Sequence, residues 1–575
     1  MNYNIRKDTA RPFILFALVL LMASCSQAPA PDPEGPCWID DDRRDIPEPE
    51  YRDPNLIWTT VDRSVFEQFE QFFDLERSFR TLFGNREEAH NINSFDHVPN
   101  SSWFTNRIGF SEVKPEDILA GIQTTPGPDT SGIWKVFRPK IQGATPGFWI
   151  EDARGDEYII KFDPDGFPEM ATASAAMASR YFYFCGYNVP QETIVHWHPD
   201  NLVIKEGATI KAPNGEKREF TREDLDHILS LIQREPDDSI RSLASLSLGK
   251  YGKIKGPFSY LGRRPDDPND WFSHQHRREL RALYVIASFI NHYDAKGQNS
   301  LDVYVEDDGN RYLKHYLIDF GSAFGSDGRS PKHPIKGYAN SIDLKDAIIT
   351  WFTLGIKTWN WEYAGDIKYP SIGYFEADLF EPDNFDPIYP NPAFENKTAR
   401  DCFWGARIVM AWRDKHLRAL IKTGQYSNPE AEEYLFQTLK KRRDKIGRYW
   451  FKKVNPLDNF ELSHQQEGIT ISFDDLGSKY ELWPDDAMYE YSIIHNDQVI
   501  IDSRRSKTRE IRLDSDDLTL LTGLQNKSNN ADGRYFTLDI RTSRYPDNRS
   551  KPVRLTLWYF PDRHEFKLVG VEHLN

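Results

Sequence analysis

Residues 276–321 constrain the fold more than any other stretch of this 575-residue chain. His276 to Ile290 carries Leu280, Leu283, Tyr284, Val285, Ile286, Phe289 and Ile290, so its second half is apolar almost all round, the pattern of a buried helix. It runs directly into a polar loop, Asn291-His292-Tyr293-Asp294-Ala295-Lys296-Gly297-Gln298-Asn299. Leu301 to Val305 and Tyr312 to Ile318 then read as two strands joined by a turn at Glu306 to Asn310, and the second strand ends in Asp319-Phe320-Gly321. A loop at the end of a buried helix and the end of a strand joined to it by a hairpin are brought side by side.

An earlier block, residues 131–205, reads as a β meander followed by a helix. Trp134 to Ile141, Phe148 to Asp152 and Glu157 to Phe162 are expected strands, with a turn containing Gly143 and Gly147 between the first two and Lys161 near the end of the third. Glycines let backbone N–H groups approach phosphate oxygens closely, and a strand lysine can set its ammonium on the same phosphates. A solvated β turn gives the same short pattern. Pro168 to Phe184, closed by Cys185 and Gly186, has the proline-first, glycine-last signature of a helix. Glu169 in its first turn is placed either to pair with Lys161 or to complement the helix dipole. Glu192 to His198 and Asn201 to Lys205 add two strands, for an expected five-stranded sheet with one helix. Beyond it, Arg222 to Ile232 reads as helical, and the polar run Arg263 to Asp270 reads as a solvated turn.

The order of glycine hairpin, strand lysine, helix, sheet, buried helix, Asp-x-Lys-x-x-Asn loop, hairpin and Asp-Phe-Gly resembles the protein-kinase-like fold, most closely its atypical HipA-like branch, over roughly residues 131–325 with a helical continuation. The resemblance implies an α+β, two-lobed domain that moves a phosphoryl or nucleotidyl group. In that pattern Asp294 accepts the acceptor's hydroxyl proton, Lys296 stands beside the transferred group, and Asn299 and Asp319 hold Mg²⁺ or Mn²⁺. Lys161, with Gly143, Gly147 and Glu169, makes up the implied binding set for ATP or another nucleotide. Tyr293 stands where the family usually has Arg, and no Ala-Pro-Glu follows Gly321.

Three periodic segments, Leu344 to Ile356, Ala399 to Ile421 and Ala431 to Phe451, extend the helical part, and an aromatic, proline-rich insertion at 359–394 reads as an ordered covering loop. From 456 the period becomes two, as in Val553, Leu555, Leu557 and Tyr559, which predicts a small β-sandwich suited to interaction or structural support.

The N-terminus points to the compartment. Arg6, Lys7 and Arg11 precede an apolar run from Phe13 to Met22, then Ala23, Ser24 and Cys25. The run is shorter than the roughly 20 residues needed to span a bilayer. It resembles a bacterial lipoprotein signal, which implies cleavage before Cys25 and lipid on its sulfur, and Ser26 by the same resemblance implies the outer membrane of the cell envelope. An ordinary secretory signal is the alternative. Cys37, Cys185 and Cys402 remain, enough for one disulfide at most.

These readings divide the chain into a signal (1–24), a Pro/Asp-rich tether (25–60), an N-terminal helical extension (61–130) in which 64–84 is amphipathic, a β-rich lobe (131–206), a helical lobe (207–455) and the β-sandwich (456–575). A net charge of −16 argues against nucleic acid as the main partner, since phosphate binding rests on clustered Lys and Arg, and leaves a local basic cleft possible. His196/His198 and His274/His276 are read as satisfied polar contacts rather than as metal ligands. Two functions fit. One is a metal-dependent transferase acting on an unidentified acceptor. The other is an inactive kinase-like fold serving as an envelope-anchored binding protein, engaging a partner through the C-terminal β-domain.

Overall fold

The computed structural model describes residues 41–53, 87–140, 147–211, 216–340, 358–525, 535–544 and 550–574. The signal and Cys25, Cys37, the helix expected over 64–84, the turn glycine Gly143 and the helix expected over 344–356 lie outside them. Among the described residues no helix is long and apolar enough to cross a membrane.

Residues 87–130 were expected to be helical, but apart from the short α1 (Pro115–Ala120) they run as irregular chain. Their order comes from buried rings: Trp103, Phe104 and Ile108 are each at most 3% exposed. Apolar side chains at irregular spacing can bury as well as periodic ones, and here they do so without a helix.

The meander forms β1 (Trp134–Pro139), β2 (Gly147–Glu151) and β3 (Glu157–Lys161), followed by α2 (Met170–Cys185), β4 (Glu192–Trp197) and β5 (Leu202–Ile204). After a small hairpin, β6 (Thr209–Lys211) and β7 (Lys217–Glu219), come α3 (Arg222–Ser230) and β8 (Ile240–Leu246). The sheet order is β4-β8-β3-β2-β1-β5, so it has six strands, not five. The added strand, β8, is buried at all seven positions and pairs with β3 on one side and β4 on the other. The β-rich part therefore extends past 206 into what was expected to be the helical lobe.

Almost all of α2 is buried, as its Ala/Ser-rich face-to-face packing requires. It ends at Gly186, whose φ is 121° and where a Cβ would lie 2.2 Å from the Phe104 ring. Only glycine fits there.

Further on come β9 (Gly252–Ile254), α4 (Arg278–Phe289), β10 (Ser300–Asp307) and β11 (Asn310–Leu317), with β9 and β11 flanking β10. Every residue of α4 is buried. Its charges are paired: Arg278 reaches Asp96 at 2.5 Å and Asp401 at 3.0 Å, and Arg281 reaches Asp401 at 3.2 Å. Residues 358–394 cover this helix, with Phe375, Phe380 and Phe385 in the same core, before α5 (Pro392–Glu395), α6 (Ala399–Ala411), α7 (Asp414–Lys422) and α8 (Pro429–Lys453). Arg442 of α8 caps α4 by donating to the carbonyls of Ser288 (2.6 Å) and Phe289 (2.8 Å).

The C-terminal strands are β12 (Leu457–Gln465), β13 (Gly468–Asp475), β14 (Met488–His495), β15 (Gln498–Ser506), β16 (Glu510–Asp514), β17 (Tyr535–Ser543), β18 (Val553–Phe560) and β19 (Glu565–His573), with helices α9 (Leu476–Lys479) and α10 (Ser515–Gln525) between them. A three-stranded sheet, β12-β13-β16, and a five-stranded one, β15-β14-β17-β18-β19, share a single apolar cluster. They are joined to the rest by buried charge: His573 meets Asp96 at 2.8 Å and Arg407 meets Asp458 at 2.5 Å.

Residues 41–53, expected as part of an extended tether, are docked as a strap along the β9–β11 sheet. Ile46 donates its N–H to the Arg311 carbonyl at 2.9 Å, Arg52 to Lys255 at 3.0 Å, and Glu48 bridges Lys253 (2.6 Å) and Lys255 (2.5 Å). The acidic, proline-rich composition does keep the segment extended, but its carboxylates find cations on the sheet.

Candidate active site

A cleft of about 230 Å³ collects side chains from four separated parts of the chain: Lys140 after β1, Lys161 at the end of β3, Asp294 and Lys296 in the loop after α4, and Asp319 after β11. The Lys161 ammonium lies 3.0 Å from Asp319 Oδ1. Lys161, then Lys140 and Lys296, hold the Asp319 carboxyl well below the usual carboxylate range despite its desolvation. Asp319 has a φ of 62°, so its side chain is presented from a left-handed turn. The following ring, Phe320, stacks on Phe182 of α2 with centroids 5.2 Å apart, anchoring that turn in the core.

Asp294 receives Lys296 at 2.7 Å. The Asn299 amide donates to the Asp294 carboxylate at 2.8 Å and to its backbone carbonyl at 2.9 Å. With both amide hydrogens committed, Oδ1 is the one ligand atom that Asn299 can offer a cation. Burial raises the Asp294 pKa while Lys296 opposes the rise. A raised carboxyl pKa makes the group a better proton acceptor.

The expected nucleotide residues divide. Lys161 is in the cleft. Gly147 faces Lys161 across the β2–β3 pair, and a Cβ there would meet the Ile160 carbonyl at 2.3 Å, so its glycine serves close strand passage. Glu169 does not pair with Lys161. It adopts a φ of 68° at the start of α2 and accepts from the Ser427 N–H at 3.0 Å.

No protein-family model and no curated protein matches the chain. Among solved structures, a proinflammatory kinase of Helicobacter pylori, CtkA, aligns over 56% of this chain and 97% of its own at 12% identity and a TM-score of 0.30. A Golgi casein kinase aligns over 58% of this chain and 72% of its own, at 10% identity and a TM-score of 0.26. The Golgi casein kinase with Mn/ADP bound aligns over 71% and 94%, at 11% identity and a TM-score of 0.26. Likeness this low decides nothing by itself. The side chains must carry the reading.

Three contributors escaped the sequence. Glu192, the first residue of β4, is 2% exposed and lies on the same sheet face as Lys161, since the two pair with Ser245 and Leu243 of β8. Burial pushes its carboxyl up to about 7, against the pull of Lys161. Lys140 is pulled down to about 8 by burial and by the charge of Lys161. Asp163 accepts from the N–H groups of Ala171 and Thr172, both at 2.8 Å, and so fixes the first turn of α2 above the cleft.

His274 has both ring nitrogens satisfied, by Asp270 at 2.8 Å and by the Ser259 carbonyl. His276 instead joins Glu87 and His90 in a group with metal-ligand composition. Its Nδ1 accepts from Arg281 at 2.6 Å, whereas a metal-bound imidazole donates from that nitrogen. That donor set does not suit a cation.

Proposed function

We propose that the chain is a nucleotide-dependent, divalent-metal-assisted phosphotransferase with a two-lobed kinase-like domain. The observation that carries this reading is the meeting of Lys161, Asp294, Lys296 and Asp319 in one cleft from positions as far as 158 residues apart. Three lysines give a site for phosphate oxygens, and an ionised carboxylate beside them supplies the hard oxygen that Mg²⁺ or Mn²⁺ requires. Asp319 and the Oδ1 of Asn299 would hold the metal, which when bound neutralises charge on the phosphates.

Lys161 leaves Asp319 for the phosphates when nucleotide enters, with Glu192 as the nearby counter-charge. Asp294 takes the proton from an acceptor hydroxyl as the bond from that oxygen to the terminal phosphorus forms and the bond to the departing nucleoside diphosphate breaks. Lys296 steadies the charge on the moving group. The test is a thermal-shift titration of the full chain with ATP or ADP and Mg²⁺ or Mn²⁺. Wild type should gain several degrees, and Asp319→Asn should gain none. A wild type that no nucleotide–metal combination stabilises rejects the reading.

One observation favours the alternative of an inactive binding protein: both cleft carboxylates already have lysine partners, at 3.0 and 2.7 Å, so the site is electrostatically complete without a cation. Nucleotide binding without transfer would support it. In either case the reading places the protein in a bacterial envelope, held at the outer membrane through lipid on Cys25, with the C-terminal β-sandwich as a surface for a protein partner.

A further inference from the structure

Lys332 is 2% exposed and does not line the cleft, yet it touches both segments that build it. Its side-chain nitrogen donates to the carbonyls of Asn291 at 2.5 Å, Phe324 at 2.7 Å and Ser322 at 3.1 Å. A lysine ammonium has three donors, and three acceptors use them all. Burial lowers the pKa well below the lysine range, but a neutral amine would turn its lone pair toward one of the three oxygens, so the geometry is that of the ammonium.

Two of those acceptors belong to strained turns. Asn291 has a φ of 50° and Phe324 a φ of 48°. For residues with a side chain such conformations are costly and persist only where the surroundings over-determine them. Asn291 opens the loop that carries Asp294, and Phe324 closes the segment that begins at Asp319. The turns also meet directly, the Phe324 N–H donating to the Ile290 carbonyl at 2.6 Å. Beside them, the Tyr293 hydroxyl donates to Asp327, and the Lys332 backbone N–H donates to Gly325 at 2.7 Å.

We propose that Lys332 is a positioning residue: its three hydrogen bonds set the separation between the loop carrying Asp294 and the segment carrying Asp319. Its part in transfer rests on the phosphotransferase reading. The clamp itself does not. With the Tyr293–Asp327 hydrogen bond it holds the segment after Asp319 from inside the fold.

The experiment compares the full chain with its Lys332→Met variant by amide hydrogen exchange and by ATP–Mn²⁺ turnover. Residues 291–299 and 319–326 should both exchange about tenfold faster, with α8 and the C-terminal sheets unchanged. Turnover should show kcat lower by about 100-fold with KM within about threefold, the result of misplacing reactive groups by about an ångström. Lys332→Gln, which keeps two donors, should recover part of kcat, and it replaces the methionine variant if that one lacks a cooperative thermal transition. Wild-type exchange in either segment overturns the proposal, as does a raised KM with kcat unchanged. If wild type turns over no nucleotide, the phosphotransferase reading fails and the exchange result alone decides the clamp.

Discussion

Lys161 and Asp319 stand 158 positions apart in the chain and 3.0 Å apart in space, and each is the other's main electrostatic partner. A strand end and a turn after a distant hairpin are thereby held in contact before any ligand arrives.

Asp294→Asn should separate binding from chemistry. A group that acts on the acceptor proton adds little to ground-state affinity, so nucleotide–Mn²⁺ affinity should stay within about threefold while transfer falls by about 10² to 10⁴. Isothermal titration alongside a labelled-phosphate assay measures both. Equal losses in the two would place Asp294 in binding instead.

Glu192 makes stability depend on pH. Its carboxyl is raised from 4.5 to about 7 in the folded protein. Between those values the native state binds more protons than the unfolded one, so the contribution is full below about 4.5 and is lost as pH rises through about 7. Glu192→Gln removes that loss. Relative to wild type the variant should gain stability between pH 5 and 8, by roughly 3 kcal/mol at most. Urea melts at several pH values check it, and parallel curves for the two proteins would refute it.

Asp96 sits among Arg278 at 2.5 Å, Arg400 at 3.0 Å and His573 at 2.8 Å, all buried. Asp96→Ala leaves two buried guanidinium groups short of a counter-charge, and about 3–5 kcal/mol of stability should go with it. Chemical denaturation reads the loss. A change under about 1 kcal/mol would mean that water or neighbouring acids compensate.

Cys25→Ser tests the anchor. Membrane fractionation should show the wild-type protein with membranes and the variant released or unprocessed, and mass spectrometry should find lipid on the wild-type N-terminal peptide. Equal fractionation of both proteins, with no lipid on the wild-type peptide, would refute lipidation.

Short, local chemistry was legible in the sequence. Asp294, Lys296 and Asp319 lie within 26 residues along a helix–loop–hairpin path whose geometry follows from its own periodicity, and Lys161 ends a strand with a clear meander before it. What failed to show was set by distant pairing. β8 is interrupted by Arg241, Ser242 and Ser245; Arg241 donates to Thr172 and the Gly424 carbonyl and Ser242 accepts from Trp197, all far along the chain, so the apolar pattern is broken although every residue is buried. Glu192 looked like an ordinary strand start, because only the insertion of β8 beside it sets it on the face of Lys161. Glu169 was nearer in sequence, but of the two readings open for it the pairing with Lys161 does not occur, and it accepts from Ser427 at the start of α2. The strap at 41–53 had the composition of a tether, and its docking depended on Lys253, Lys255 and Arg311 more than 200 positions away.

The bond between Asp96 and His573 spans 477 positions of chain. At elongation rates of about 5–20 residues per second, a ribosome needs roughly half a minute to a minute and a half to make the second partner after the first. Arg278 and Arg400 follow Asp96 by 182 and 304 positions, so once both are made they are its only buried partners until His573 arrives, and the face of α6 that receives β19 stays open meanwhile. The Asp96–His573 bond therefore forms only after every side chain of the cleft has been synthesised.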